Sequence, residues 1–435
     1  MREITPHCRR RLPAGTATQL RRAARKVAGS VALAACLLAT TAAVPAAVPS
    51  VSHGNLASPG RSARRTSHDA VTATAVSQWI HIATGGYHTC GIREGNTLWC
   101  WGNAAYGELG AGGAADQEQP QQVSKPTAGW TSVATGYYHS CATRNDGSLW
   151  CWGYNHDGEL GIGTTTNVTR PHQVTTPAAT AWASVTAGLL HTCAIGSGTT
   201  LWCWGYNDDG ELGIGNTTSQ DLPQQVTTPA AAGWTHVADG NWHTCAIRDD
   251  GSLWCWGDND DGQLGIGATS SQDLPRQVTT PAAAGWAMVA GGGGHTCAVR
   301  TDGTLWCWGF NSAGELGTGN ATNQDLPQQV TIPAATGWTS VAAGGGATCA
   351  LRTHALRCWG FNAEGQLGIG STTSQDLPRQ VTVPATTGWS RLALGISHTC
   401  ATHTGHTLWC WGDNQDGDLG IGNTTQQNLP QQVTS

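Results

Sequence analysis

Fourteen of the sixteen cysteines fall into seven pairs, each nine or ten positions apart. They are Cys90–Cys100, Cys141–Cys151, Cys193–Cys203, Cys245–Cys255, Cys297–Cys307, Cys349–Cys358 and Cys400–Cys410. Paired thiols suit either a disulfide or a metal. A His stands two residues before the first Cys of six pairs (His88, His139, His191, His243, His295 and His398), and Ala347 takes its place in the sixth unit. One His and two Cys give three ligands, whereas a structural zinc site closes with four. A disulfide would also consume the thiolates. The reading is seven disulfides and no metal, with each His hydrogen-bonding backbone between neighbouring units. Asp258-Asn259-Asp260-Asp261-Gly262 and Asp413-Asn414-Gln415-Asp416-Gly417-Asp418 resemble calcium loops. They lack the closing Glu, and Asn or Asp before Gly is ordinary turn chemistry. No Ser-His-Asp set or carboxylate pair stands out from the repeat, so no catalytic residue and no cofactor are assigned.

The elements that position the cysteines repeat with them. A Trp opens each unit, at Trp79, Trp130, Trp182, Trp234, Trp286, Trp338 and Trp389, at intervals of 51 or 52 residues. The fourth unit shows the pattern in full. Trp234 to Gly240 reads as a strand, His243 to Arg248 as a second, and Leu253 to Gly257 as a third. Leu274-Pro275-Arg276-Gln277-Val278 then leads into a fourth. Asp249-Asp250-Gly251 fits a type I turn closed by a left-handed residue. That register sets Ile247 opposite Leu253 and Cys245 opposite Cys255, within disulfide reach. In Leu253-Trp254-Cys255-Trp256, Leu and Cys share one face and the two Trp the other. Both faces are apolar, as in a sheet stacked between two others. Trp99, Trp101 and their equivalents are expected against the neighbouring sheet. Four short strands repeated seven times give the fold class: all-β, a seven-bladed β-propeller over residues 79–435.

Charge divides along the chain. Residues 1–78 hold 11 of the 22 Lys and Arg and only Glu3 and Asp69 as acids, a balance of +9. The propeller keeps 11 basic and 26 acidic residues, a balance of −15. Such a domain repels phosphate backbones, and no nucleic-acid partner is expected. Arg9-Arg10-Arg11 and Arg21 to Lys26 precede an apolar run from Val27 to about Val48. That order reads as a signal peptide over residues 1–47, followed by a disordered linker over 48–78. The expected location is secreted or cell surface. A transmembrane anchor is one competing reading. Leu33-Ala34-Ala35-Cys36 resembles a lipobox, and membrane attachment follows only with lipidation at Cys36.

Trp-x-x-Val-Ala-x-Gly, Gly-x-x-His-Thr-Cys-Ala, Asp-Gly-x-Leu-Trp-Cys-Trp-Gly and Asn-x-x-Gly-Glu-Leu-Gly-x-Gly together resemble the regulator of chromosome condensation repeat family. The resemblance spans residues 79–435. It implies a seven-bladed propeller, with one blade completed by both chain ends through Gln431-Gln432-Val433 beside Trp79. Its founding member is a nuclear exchange factor for a small GTPase, and a secreted member inhibits β-lactamases. An export signal and an acidic domain argue against the nuclear role. The expectation is a secreted, non-enzymatic monomer that binds a protein partner. Exchange-factor-like regulation and extracellular enzyme inhibition are the alternatives. The units differ most at Tyr137-Tyr138, Leu189-Leu190, Trp242, Ala347 and Arg357. Tyr137, Tyr138 and Trp242, read as exposed loop aromatics, are the candidate partner-binding residues.

Each disulfide would close a short hairpin and contribute no more than about 2–3 kcal/mol. The intact mass of the mature chain should rise on reduction by the weight of fourteen hydrogens. Alkylation of all fourteen cysteines without reductant would contradict the pairing.

Overall fold

The computed structural model describes residues 78–178 and 181–434. The signal at 1–47, the linker at 48–77, Cys8 and Cys36 lie outside the described residues. From Trp79 the chain forms seven antiparallel sheets of four consecutive strands each. The first blade comprises Trp79–Thr84, His88–Arg93, Thr97–Gly102 and Gln117–Gln122, and the last ends with Gln427–Gln432. First strands line the centre of the ring, and fourth strands form its outer edge.

The hairpin register follows the turn chemistry. Cys245 faces Cys255 and Ile247 faces Leu253. Gly251 takes the left-handed conformation at φ 75°. In the sixth unit Thr353 and His354 make the shorter turn, both at positive φ. All seven cysteine pairs have disulfide geometry, with Cα atoms 4.1 Å apart.

The fourth strand begins earlier than expected. It is the Gln-Asp-Leu-Pro segment itself, Gln272–Gln277 in the fourth blade. Pro275 fits there because an outer edge strand does not need every N–H in its ladder.

The core consists of seven inter-blade layers. Cys90, Ile92, Leu98 and Cys100 of the first blade pack on Trp130, Val133, Ala142 and Trp152 of the second. The Leu and Cys face of each blade thus meets the Trp face of the next. The two Trp of the third strand, present in every blade but the sixth, where Arg357 replaces the outer one, divide the work. Trp101 is fully buried, whereas Trp99 is half-buried and lies partly under Arg93, 4.2 Å from its ring centre. The opening Trp of every unit packs edge-on against the inner one, as Trp234 does on Trp256 at 6.1 Å.

One polar contact recurs at every blade junction. The Glu211 carbonyl accepts the Trp256 indole N–H at 2.8 Å and the Thr244 hydroxyl at 2.8 Å, both from the next blade. Thr244 has then donated its only hydroxyl proton, so it accepts from His191 Nε2 at 3.0 Å. The histidines therefore bridge blades through a hydroxyl rather than through the backbone. Each ring presses on the glycine three residues before it, where a Cβ on Gly85 would stand 2.7 Å from His88 Cε1.

Both chain ends were expected to share a blade, and they do not. Gln427–Gln432 pairs with Thr407–Gly412, and the strand at Trp79 pairs only with His88–Arg93. Four strands are already available within each repeat, so none is left over to cross the seam. The ring closes by the same contacts as elsewhere. Trp101 and Thr89 donate to the Asp418 carbonyl at 2.9 and 2.8 Å, and His398 meets Thr89 at 2.8 Å.

The sixth blade lacks the His but keeps the glycine before it. Leu394 of the seventh blade fills the space, with its Cβ 3.1 Å from where a Cβ on Gly344 would lie. Ala347→His alone should overpack this layer and destabilise by about 1–3 kcal/mol. Ala347→His with Leu394→Thr should recover most of that loss, read as urea midpoints in a double-mutant cycle.

Candidate functional site

Positions used by the inter-blade contact vary little, so a site is sought among positions the contact leaves free. Those lie at one end of the ring, where the loop before each His meets the loop after each third strand. The residue two before the His rims the central channel, and Gly86, Tyr137, Leu189, Asn241, Gly345 and Ile396 stand there. The next residue stands immediately outside the His: Tyr87, Tyr138, Leu190 and Trp242 in the first four blades, and Gly294 and Gly346 in the fifth and sixth.

Five of the six tyrosines gather at this end on the first two blades. Tyr137 meets Tyr138 edge-on at 4.4 Å between ring centres, and Tyr138 meets Tyr106 at 4.9 Å. Tyr106 meets Tyr154 at 5.1 Å, and Tyr154 stacks on the exposed His156 at 4.8 Å. The Tyr87 and Tyr137 hydroxyls lie 3.1 Å apart. Burial pushes the Tyr137 and Tyr138 phenols well above the ordinary range, so both stay neutral. Tyr137 and Tyr138 thus come together half-buried, within a patch that can offer π-faces and hydroxyls to a ligand. Trp242 is separate. It is only 6% exposed and packs on Tyr206 at 5.4 Å, a wall rather than a protruding contact. Tyr87, Tyr106 and Tyr154 were not singled out from sequence. The available signal was that every tyrosine precedes Asn207 and none follows it.

Carboxyl groups lie beneath the tyrosines. Glu108 and Glu159 are buried, and burial pushes both up to about 8. Each holds its own loop: Glu108 Oε2 accepts the Tyr106 N–H at 2.8 Å, and Glu159 Oε2 the Asp157 N–H at 3.0 Å. Asn259 ties its loop in a comparable way, donating to the Ala268 and Ser270 carbonyls and accepting from the Leu264 N–H. The Asn and Asp residues of this pattern are thus committed at least in part to loop closure.

Asp239 is an acidic departure from the repeat at the ring centre. Thr84, Thr135, Ala187, Gly291, Ala343 and Leu394 stand at its equivalents. Its side chain is fully buried, with Oδ1 3.7 Å from His191 Nε2. Burial raises the Asp239 carboxyl and lowers the His191 ring to about 3, which pushes both toward their neutral forms rather than toward an ion pair. Nor is Thr244-His191-Asp239 a proton relay. Hydroxyl and carboxyl share one ring nitrogen, whereas a relay needs one on each.

A seven-bladed propeller of this repeat, with histidine-bridged blades and a varied loop end, defines the class. Residues 182–435 match the RCC1-like domain, and residues 96–143 and 146–195 match the regulator of chromosome condensation (RCC1) repeat. The chain belongs to this family. It is 30% identical over 365 residues to the ultraviolet-B receptor UVR8 of Arabidopsis thaliana, covering 83% of each chain. Human WBSCR16 superposes with a TM-score of 0.70 at 23% identity, over 78% of this chain and 95% of that one. Prp20p of Saccharomyces cerevisiae does so at 0.70 and 21%, over 83% and 88%. These two structures share the fold.

Burial also sets a pH dependence. The six bridging histidines are lowered to about 3 or 4 from 6.5. The unfolded chain therefore binds protons that the folded one refuses, and stability is lost as pH falls below 6.5. Glu108, Glu159 and Glu315 are raised to about 8, 8 and 7 from 4.5, which removes stability as pH rises from 4.5 toward those values. The two slopes oppose, so the melting temperature should peak near pH ~6 and fall on both sides. A profile that stays flat from neutral pH down to the folded-state histidine values would contradict the burial of the histidines.

Proposed function

We propose that this chain is an exported, non-catalytic binding module whose propeller presents its loop end to a protein partner. The supporting observation is the division of labour among positions. Trp, Thr, His, Cys and Gly of the repeat are spent on joining blades, and the variable residues concentrate at one end. An RCC1-like propeller is a scaffold of this kind, and Prp20p of Saccharomyces cerevisiae binds Gsp1p and histones. Seven cysteine pairs in disulfide geometry favour an oxidising compartment outside the cytoplasm. The basic and apolar N-terminal sequence favours export by the same reasoning.

Fractionation of the producing cells, with the N-terminus of the mature chain sequenced, tests export. The mature chain should appear outside the cytoplasm and begin near residue 48. Crosslinking of the full chain in culture medium and envelope, followed by identification of what is held, tests binding. Acceleration of nucleotide release from a small GTPase by the purified chain would overturn the non-catalytic reading.

A further inference from the structure

The propeller's charge is separated between its two ends. Of the 26 acids that follow Trp79, only Glu94, Asp146, Asp249, Asp250 and Asp302 lie at the hairpin end, where second strands turn into third strands. The remaining 21 lie at the loop end. The basic residues are distributed the other way. Among the 11 Lys and Arg of the propeller, Arg170 alone stands at the loop end. The others sit at the hairpin end, as Arg144, Arg248 and Arg300 do, or along the blades, as Arg276 and Arg357 do.

Two rings of carboxylates produce this end. Glu118, Asp221, Asp325 and Asp376 open the outer strands and are exposed, with Asp273 half-buried in the same position. Inside them lie the loops that follow the third strands. Asp413, Asp416 and Asp418 crowd there beside Tyr87. Burial raises all three, and neighbouring carboxylates raise Asp416 and Asp418 further, while Asp416 accepts the Asn103 amide at 3.0 Å. Asp418 is 1% exposed, and its Oδ1 has no hydrogen-bond partner. On the other side of the tyrosines stand Asp157 and Asp208, close enough to raise Asp157. The tyrosine patch is thus flanked by carboxyl groups on both sides, held by neutral donors (Tyr206 on Asp208, Asn103 on Asp416, the Asn414 and Gln415 N–H on Asp413), with His156 beside Asp157 and no Lys or Arg among the charges that act on them. Burying like charges together without a counter-ion is unfavourable for the free protein. A cation placed beside them offsets part of that cost.

We propose that the loop end docks a basic segment of a partner protein, with Arg or Lys side chains laid over Tyr87, Tyr137 and Tyr138 and their charges met by Asp157, Asp413 and Asp416. Aromatic faces attract guanidinium and ammonium groups, and carboxylates beside them fix the charge. The acidic rim steers such a segment to the patch at long range. The triple glycines Gly292-Gly293-Gly294 and Gly344-Gly345-Gly346 leave the opposite side of the channel mouth low. That relief gives an extended segment room to cross the mouth. This inference rests on the binding-module reading and adds its face and its partner's chemistry.

The test uses the full chain and a fluorescein-labelled Arg-Gly repeat peptide, with a Glu-Gly peptide of equal length as control, read by fluorescence anisotropy. The basic peptide should bind and weaken with salt, and the acidic peptide should not bind. Tyr138→Ala should weaken binding by about tenfold, with Tyr138→Phe close to the parent. Asp157→Asn with Asp416→Asn should weaken it comparably while leaving circular dichroism unchanged, which keeps the test open should Tyr138→Ala fail to fold. Glu94→Gln with Asp249→Asn, at the hairpin end, should have little effect. Equal weakening by the hairpin-end pair would overturn the proposal, because net charge alone would then explain binding. Displacement of the peptide by calcium alone would also overturn it, in favour of a cation site. A captured partner whose binding survives the Tyr138 and Asp substitutions would sink the docking face and leave the binding-module reading standing.

Discussion

The structure depends on one backbone carbonyl per blade, the one carried by Glu211 in the third blade and by Asp418 at the seam. A carbonyl oxygen has two lone pairs, and here both are taken by the next blade, one by an indole and one by a hydroxyl. The rest follows from that double acceptance. The hydroxyl has no proton left to give, so the histidine of the preceding blade must donate from Nε2. Its Nδ1 is left buried without a partner in five blades. A ring fixed this way lies against the backbone three residues earlier, where only glycine leaves room. Trp, Thr or Ser, His and Gly are therefore one device, and a change in any of them is felt by the other three.

The device also explains why the chain needs no shared blade to close. In a ring built from identical junctions the seam is one more junction, provided its groups match. They do: Trp101, Thr89 and His398 reproduce the contacts made elsewhere by Trp256, Thr244 and His191. The weakest match is instead between the sixth and seventh blades. There the histidine is absent and an aliphatic side chain fills its volume. Thr399 keeps its bond to the Gln366 carbonyl at 2.9 Å, so the hydroxyl half of the junction survives without the imidazole half.

Much of the fold was legible because repetition makes local rules redundant. Seven opening Trp set the blade count, and the turn at Asp249-Asp250-Gly251 set the register that brings Cys245 to Cys255. Three features were not legible. The fourth strand was placed after the Leu-Pro segment rather than on Gln272–Gln277, because nothing local marks a proline-bearing segment as an outer edge strand. The histidines were expected to join neighbouring blades through backbone, and that the acceptor is a Thr or Ser hydroxyl about 52 positions away was not visible from the spacing within a unit. Closure through both ends was expected from the family, and no residue pattern could have decided between that and seven self-contained blades. At the candidate site, Tyr137 and Tyr138 were visible as departures from the repeat. Trp242 looked equivalent, but Tyr206, in the preceding blade, covers it. Exposure at a propeller end is set by the neighbouring blade as much as by a residue's own loop.

Repetition also explains where function can be placed. A substitution at a junction position costs stability at that junction and gains nothing elsewhere. The residue immediately before each histidine escapes this limit. It stands one step outside the ring of junctions, where Tyr87 stacks on Tyr138 of the next blade and Trp242 packs on Tyr206 of the preceding one. Tyrosine there in the first two blades and glycine in the fifth and sixth give a seven-fold scaffold a direction. The acids add polarity along the other axis, from loop end to hairpin end. Together they convert a nearly symmetric ring into a surface with one aromatic, negatively charged quadrant. A ligand that needs both a π-face and a carboxylate finds them side by side only where the two asymmetries overlap, at the first and second blades and the seam with the seventh.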